Sequence, residues 1–219
     1  VNPAESPPSE RRSISHDELM ALPILRYQGP IRLVKSEDDL HHLAQDARHE
    51  HLVGFDTETR PTFKKGQSFP PSLVQIATAK MVYLIQVKRV DCARVLASIL
   101  DNPHIVKAGV AITYDLAELG KLFPLQPAKV VDVGEVAKKH GLLQTGIRNL
   151  TGIFLNARIT KGARTSNWTK ANLTESQMRY AATDAWISRE LYLCFQQRGL
   201  LSHSSPTPTP CSHPADEIG

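Results

Sequence analysis

The sequence predicts one α/β domain, a mixed sheet with an antiparallel start that is flanked by helices. Three observations carry this. Strand-like and helix-like stretches alternate between residues 30 and 198. Two apolar runs, Leu73 to Ala77 and Met81 to Gln86, are separated only by a short turn, which requires an antiparallel hairpin. The second half of the chain carries the longer helical patterns. A length of 219 residues suits one such domain with a sizeable core and is short for two.

The elements follow in order. Ile31 to Val34 is β-branched and extended. Ser36 then opens a helix through Ala47, with Asp39 in the capping-box position. His51 to Glu58 is the next strand, and a loop containing Pro, Lys and Gly (Arg60 to Pro71) leads into the hairpin. Asp91 to Leu100 has helical spacing and is stopped by Asn102-Pro103, so Ile105 to Val110 forms a further strand. A short helix over Asp115 to Phe123, a short strand over Val130 to Val133 and helices over Gly134 to His140 and Leu143 to Leu155 come next. The best-defined helix runs from Thr174 to Arg198: Thr174 caps it, Gln177 completes the capping box and Gly199 follows the last turn. Residues 1–22 and 201–219, rich in Pro, Ser and Thr, are expected to be flexible tails around a domain at 23–200.

Composition excludes several classes. No apolar run approaches the ~18 residues of a membrane span, and the N-terminus lacks the apolar core of a secretory signal, so an intracellular chain is expected. Cys92, Cys194 and Cys211 are odd in number and unrelated in spacing, which argues against a disulfide framework or a zinc site. Cys92 and Cys194 are read as core residues. Net charge is +4 overall, but residues 23–200 hold 24 Lys and Arg against 16 Asp and Glu, a balance of +8 that suits a polyanionic partner.

The chemistry lies in the acids. Phe55-Asp56-Thr57-Glu58-Thr59 puts two carboxylates at the end of an apolar strand, where residues two apart share a face: Asp56 and Glu58 point together while Thr57 faces away. Asp115 follows the strand Val106 to Ile112 at the start of a helix, where an acid also suits the helix dipole. In Tyr180-Ala181-Ala182-Thr183-Asp184 the i,i+4 spacing puts Tyr180 and Asp184 on one helical face, and the small Ala181, Ala182 and Ala185 let that helix approach a sheet closely. Like charges gathered in one place raise each other's pKa until a cation compensates them. All-oxygen donors select Mg²⁺ or Mn²⁺ over zinc. Two such ions about 4 Å apart suit in-line cleavage of a phosphodiester.

Asp-x-Glu in FDTET, the Asp of GVAITYDLAEL and Tyr-x-x-x-Asp in YAATDAW, in that order, resemble the three exonuclease motifs of the DEDD superfamily in its tyrosine-bearing branch. That branch holds ribonuclease D, the Werner-syndrome exonuclease domain and the proofreading domains of family A DNA polymerases. PPSLVQIAT and TSNWTKANLTESQMRYAATDAW extend the similarity over about residues 30–198. The resemblance implies a ribonuclease H-like fold and a 3′-5′ exonuclease using two divalent ions. It further implies Asp56, Glu58 and Asp184 as inner ligands, with Asp56 shared between the ions. Asp115 would hold the second ion partly through water, and Tyr180 would orient the attacking water. The short segment after residue 198 leads to the expectation of a Werner-type exonuclease domain rather than a full ribonuclease D.

Basic residues border these motifs. Arg60, Lys64 and Lys65 in the loop after the first motif suit either a solvated loop or phosphate contacts. Lys161, Arg164 and Lys170 flank Trp168, which reads as a packing anchor, and one of these cations is expected to touch the strand. Trp186 reads as core, and His104 and His140 as surface or capping residues. The expected partner is nucleic acid, as a single strand or a 3′ end, without a membrane. A catalytically silent nucleic-acid-binding scaffold of the same fold is the alternative, and a small nucleotide or short oligonucleotide as substrate is a third reading.

Overall fold

The computed structural model describes residues 11–61, 69–160, 162–163 and 165–201. Six strands form one sheet: β1 (Ile31–Val34), β2 (Leu52–Thr59), β3 (Pro71–Ala77), β4 (Val82–Gln86), β5 (Val106–Gly109) and β6 (Val130–Asp132). Their spatial order is β1-β4-β3-β2-β5-β6. β3 and β4 form the expected antiparallel hairpin, and β2 pairs antiparallel with β3 to make a three-stranded meander. β1 joins β4 in parallel, and β5 and β6 extend the other edge in parallel. The mixed sheet is therefore as expected. Its central strands β3 and β4 are buried along their whole length, as layers on both faces require.

Alternation along β2 assigns the two faces. Val53 and Phe55 enter one core with Leu43 of α2 (Glu37–Ala47), Leu96 of α3 (Ala93–Leu100) and Ile112 of α4 (Ile112–Gly120). The opposite face is covered by α5 (Val133–Lys139), α6 (Ile147–Leu155) and α7 (Glu175–Gln197). Side chains at Asp56 and Glu58 share this second face with α7. Burial of apolar side chains in both layers is the main stabilising contribution, about 1.5–3 kcal/mol for each large one fully withdrawn from water.

Helix α7 lies close to the sheet because both sides of the contact are small. Ala181, Ala182 and Ala185 are fully buried against it. On the sheet side stands Gly54, where a Cβ would lie 2.0 Å from the Ala185 carbonyl oxygen. The expected caps form: Ser36 and Asp39 close a capping box on α2, and Thr174 and Gln177 close one on α7.

The N-terminal boundary differs from the expectation. Part of the segment expected to be a tail forms α1 (His16–Ala21), closed by a Ser15/Glu18 capping box. Ile14 and Leu19 are buried against Gly152 of α6, a contact only a residue without a side chain allows so closely. The packing partner lies more than a hundred residues away, which hides it from local periodicity. Helix starts also shift: α4 begins at Ile112, α5 at Val133 and α6 at Ile147. Residues 1–10 and 202–219, the remainder of both expected tails, fall outside the described residues.

Cys92 is fully buried, and Cys194 is half-buried with its Sγ 3.8 Å from the Phe154 carbonyl. Trp168 is fully buried, in agreement with an anchor, and Trp186 is half-buried with its ring 5.6 Å from that of Tyr27. His140 is at the C-terminal cap of α5, with Nε2 2.8 Å from the Leu200 carbonyl. No helix among the described residues is long and apolar enough to cross a membrane.

The turn from β5 into α4 sets where Asp115 stands. Its pivot is Ala111, a left-handed residue at φ 59°, and its N–H donates to Asp132 Oδ1 at 3.3 Å. Left-handed backbone costs an L-residue about 1–2 kcal/mol, part of which glycine recovers. Ala111→Gly is therefore expected to keep the fold and raise stability by up to about 1 kcal/mol in a urea titration.

Candidate active site

Four carboxylates meet over the end of β2. Asp56 and Glu58 project from β2 toward α7, and Asp184 projects back from α7. One carboxylate oxygen from each of the three lies within 4.8 Å of the others. Asp184 is only 6% exposed, whereas Asp56 and Glu58 are half-buried. Asp115 arrives from the other face of the sheet on α4. It is held by Thr57, whose Oγ1 donates to Asp115 Oδ1 at 2.9 Å. The residue pointing away from Asp56 and Glu58 thus ties the fourth acid to the same strand end.

The electrostatics of Asp56, Asp115 and Asp184 are those of buried, mutually repelling acids. Burial, then the charges of Asp184, Glu58 and Asp115, push the Asp56 carboxyl well above the usual carboxylate range. Burial pushes Asp184 up to about 7, partly opposed by the hydrogen bond from Tyr180. Burial, with the charge of Asp132 adding to it, raises Asp115 to about 6 against the lowering effect of Thr57. None of the ion pairs among the described residues involves Asp56, Asp115 or Asp184. Buried like charges of this kind need protons or a cation. The donor atoms are all oxygen, so the residues fit a hard divalent ion.

Tyr180 sits one turn before Asp184 on the same face of α7, with its ring 6.2 Å from that of Trp168. Burial and the neighbouring acids Asp184, Glu58 and Asp56 raise its hydroxyl pKa, so it stays protonated and acts as a donor. All five residues singled out by the motifs therefore fall in one region, Asp115 being the one carboxylate outside the tight group of three.

The basic residues divide differently. Arg60 is exposed just past β2, with its guanidinium 5.0 Å over the Phe69 ring. Lys64, Lys65, Lys161 and Arg164 lie outside the described residues. The backbone carbonyl of Lys170 accepts from Gln86 Nε2 at 2.7 Å.

Several contributors are not apparent from the motifs. Asp132 Oδ1 accepts from the N–H groups of Gly134 and Glu135, capping α5, as well as from Ala111, so one carboxylate braces the turn that carries Asp115. Asp132-x-x-Glu135 is a readable start signal for a helix, but its contact with Ala111 is tertiary. Gln75 stands opposite Asp56 in register and is fully buried. Tyr114, next to Asp115 in α4, leaves an aromatic ring 62% exposed.

A mixed six-stranded sheet in this arrangement, with acids over the end of a central strand, has the ribonuclease H-like fold of exonuclease domains. Residues 31–199 match the 3′-5′ exonuclease family, and the chain belongs to that family. Ribonuclease D of Gluconacetobacter diazotrophicus is 32% identical over 171 residues, covering 76% of this chain and 42% of that protein. The bifunctional 3′-5′ exonuclease/ATP-dependent helicase WRN of Mus musculus is 29% identical over 192 residues, covering 83% of this chain and 14% of that protein. The crystal structure of the Aedes aegypti Nibbler EXO domain shares the fold with a TM-score of 0.71 at 22% identity, covering 80% of this chain and 92% of that one. The chain spans less than half the length of either curated relative.

Proposed function

We propose that this chain is a 3′-5′ exonuclease that releases nucleoside monophosphates from DNA or RNA ends by two-metal-ion hydrolysis of the phosphodiester. The observation that supports this most is the convergence of Asp56, Glu58 and Asp184 within 4.8 Å in a chain of the 3′-5′ exonuclease family. Asp56, Glu58 and Asp184 would hold one divalent ion, Mg²⁺ or Mn²⁺, and Asp56 with Asp115 a second. When bound, the ions supply an activated water and neutralise charge on the leaving oxygen.

The protein's own groups do the rest. Burial of Asp184 and the approach of α7 to Gly54 fix the carboxylates before substrate arrives. Tyr180, protonated at neutral pH, donates a hydrogen bond that orients the attacking water and is not a base. Arg60 stands at the exit of β2, where its charge can meet a phosphate. Lys64, Lys65, Lys161 and Arg164 are proposed further phosphate contacts.

The test is a time course on a 5′-labelled single-stranded DNA and the matched RNA with Mg²⁺, with Mn²⁺ and with EDTA. A metal-dependent ladder shortening from the 3′ end is the expected result, and the faster polymer defines the substrate. Binding without cleavage under every metal overturns the enzyme and favours the scaffold.

Thr57→Val tests the link to the fourth acid. It keeps the shape and removes the donor that lowers the Asp115 pKa, so that pKa climbs further above about 6. A hydrogen bond to a charged group contributes about 1.5–3 kcal/mol, so activity at pH 7 is expected to fall about tenfold or more. The acidic limb of the pH–rate profile should move to higher pH. An unchanged profile would show that Thr57 does not hold a working Asp115.

A further inference from the structure

Gln75, in the middle of β3, is fully buried, and neither its Nε2 nor its Oε1 has a hydrogen-bond partner among the described residues. No other described side chain has two such atoms. Burying an amide unpaired costs free energy that a methionine or leucine at the same place would not. The fold alone gives no return for that cost.

The neighbours on its face of the sheet are known from the register. Leu84 stands directly opposite on β4 and Asp56 directly opposite on β2. Leu73 and Ala77, two residues away along β3, share the same face. Helix α7 covers that face with Ala181, Ala182 and Ala185, which belong to the same apolar cluster as Leu73, Ala77 and Leu84. None of these apolar side chains can pair an amide. Gln86, the other glutamine on this face, is already engaged, donating to the Lys170 carbonyl at 2.7 Å. The polar group set directly across from Gln75 is the Asp56 carboxylate. Directly opposed residues of an antiparallel pair have Cβ atoms about 4.5–5.5 Å apart, a gap that a glutamine amide can span.

We propose that Gln75 is a positioning residue for Asp56: with divalent ions bound, its amide nitrogen donates to the Asp56 carboxylate and fixes how that carboxylate presents its oxygens to them. The residue type suits the task. A neutral amide orients a carboxylate without competing with the cations for its charge, as a lysine or arginine would. Carboxylates that ligate metals are themselves commonly held by hydrogen bonds from a surrounding shell, and loss of such a partner weakens metal affinity or activity about 10- to 100-fold. The amide then gains its partner when ions bind and lacks one in chelator, so its cost falls on the protein without ions. The proposal rests on the two-ion reading of the acids, and the test separates the two.

The measurement is a calorimetric Mn²⁺ titration of the unaltered chain, Gln75→Met and Leu84→Met, with melting of each in EDTA. Gln75→Met keeps the length of the side chain and removes the amide. It is expected to bind Mn²⁺ about 10- to 100-fold more weakly, yet to melt in EDTA at or above the unaltered chain, because an unpaired buried amide has been replaced by an apolar group of similar shape. A residue that only fills space would not show that pair of effects. Leu84→Met, on the opposite side of Gln75 in the same layer, should leave Mn²⁺ affinity unchanged whatever it does to melting. On a 5′-labelled strand at limiting Mn²⁺, Gln75→Met should lower kcat, leave KM for the strand unchanged and recover most of its rate in excess Mn²⁺. Unaltered Mn²⁺ affinity in Gln75→Met overturns the proposal, as does an equal loss of affinity in Leu84→Met or a marked fall in melting of Gln75→Met in EDTA, either of which would make Gln75 a structural residue. Failure of the unaltered chain to bind Mn²⁺ overturns the two-ion reading itself, and the positioning role with it.

Discussion

Asp184→Asn is expected to abolish cleavage and, in the absence of divalent ions, to stabilise the protein. Loss of a ligand to an ion that stabilises charge in the transition state costs several kcal/mol, so the rate should fall by about a thousandfold or more. The stability effect follows from the same site. Burial raises Asp184 from an ordinary value near 3.8 to about 7 in the folded chain. The folded state therefore binds a proton more tightly than the unfolded state between those values, and stability falls as pH rises through that window. Above about pH 7 the charged group destabilises the fold in full, and asparagine removes that cost. In EDTA at pH 8 the variant should melt above the unaltered protein, by about 2 °C or more. At pH 4 the difference should nearly vanish. Added Mn²⁺ should reverse the order by stabilising only the chain that keeps the carboxylate. Equal melting at both pH values would mean that Asp184 is not a buried, uncompensated acid.

Gly54→Ala should be nearly as damaging by a different route. An added Cβ would stand 2.0 Å from the Ala185 carbonyl oxygen and 3.0 Å from Arg189 Cβ. The first obstacle is backbone, so α7 itself must move, carrying Asp184 and Tyr180 away from Asp56 and Glu58. Overpacking costs about 1–3 kcal/mol, and this contact belongs at the upper end. Misplacing a catalytic group by about 1 Å can cost about a hundredfold in rate. A urea titration should show the destabilisation, and cleavage should fall even under conditions where the variant is fully folded. Unaltered activity would mean that the helix-to-sheet distance does not set the site.

The sequence exposes what is local. Ser36 with Asp39 and Thr174 with Gln177 mark two helix starts because a cap and its partner are three residues apart. Asp56 and Glu58 share a face because strand geometry has a period of two. Small residues Ala181, Ala182 and Ala185 announce a close approach, but its counterpart, Gly54, becomes apparent only when α7 lies across β2. Helix α1 has its own signal in Ser15-x-x-Glu18, yet its burial depends on Gly152 on α6. In the same way, Thr57 has no role until α4 brings Asp115 to the far face of β2, and Asp132 none until Ala111 turns the chain toward it. The parallel pairing of β1 with β4 is likewise a long-range choice that no local pattern announces.

The most direct measurement is a calorimetric Mn²⁺ titration in the presence of a nucleoside monophosphate, paired with cleavage in the same buffer. Two ions should bind the unaltered chain and fewer should bind Asp115→Asn. Cleavage should stop with EDTA and return when Mn²⁺ is supplied in excess. Cleavage that persists in chelator, or a chain that cleaves without binding the cation, would contradict two-metal hydrolysis at these four carboxylates.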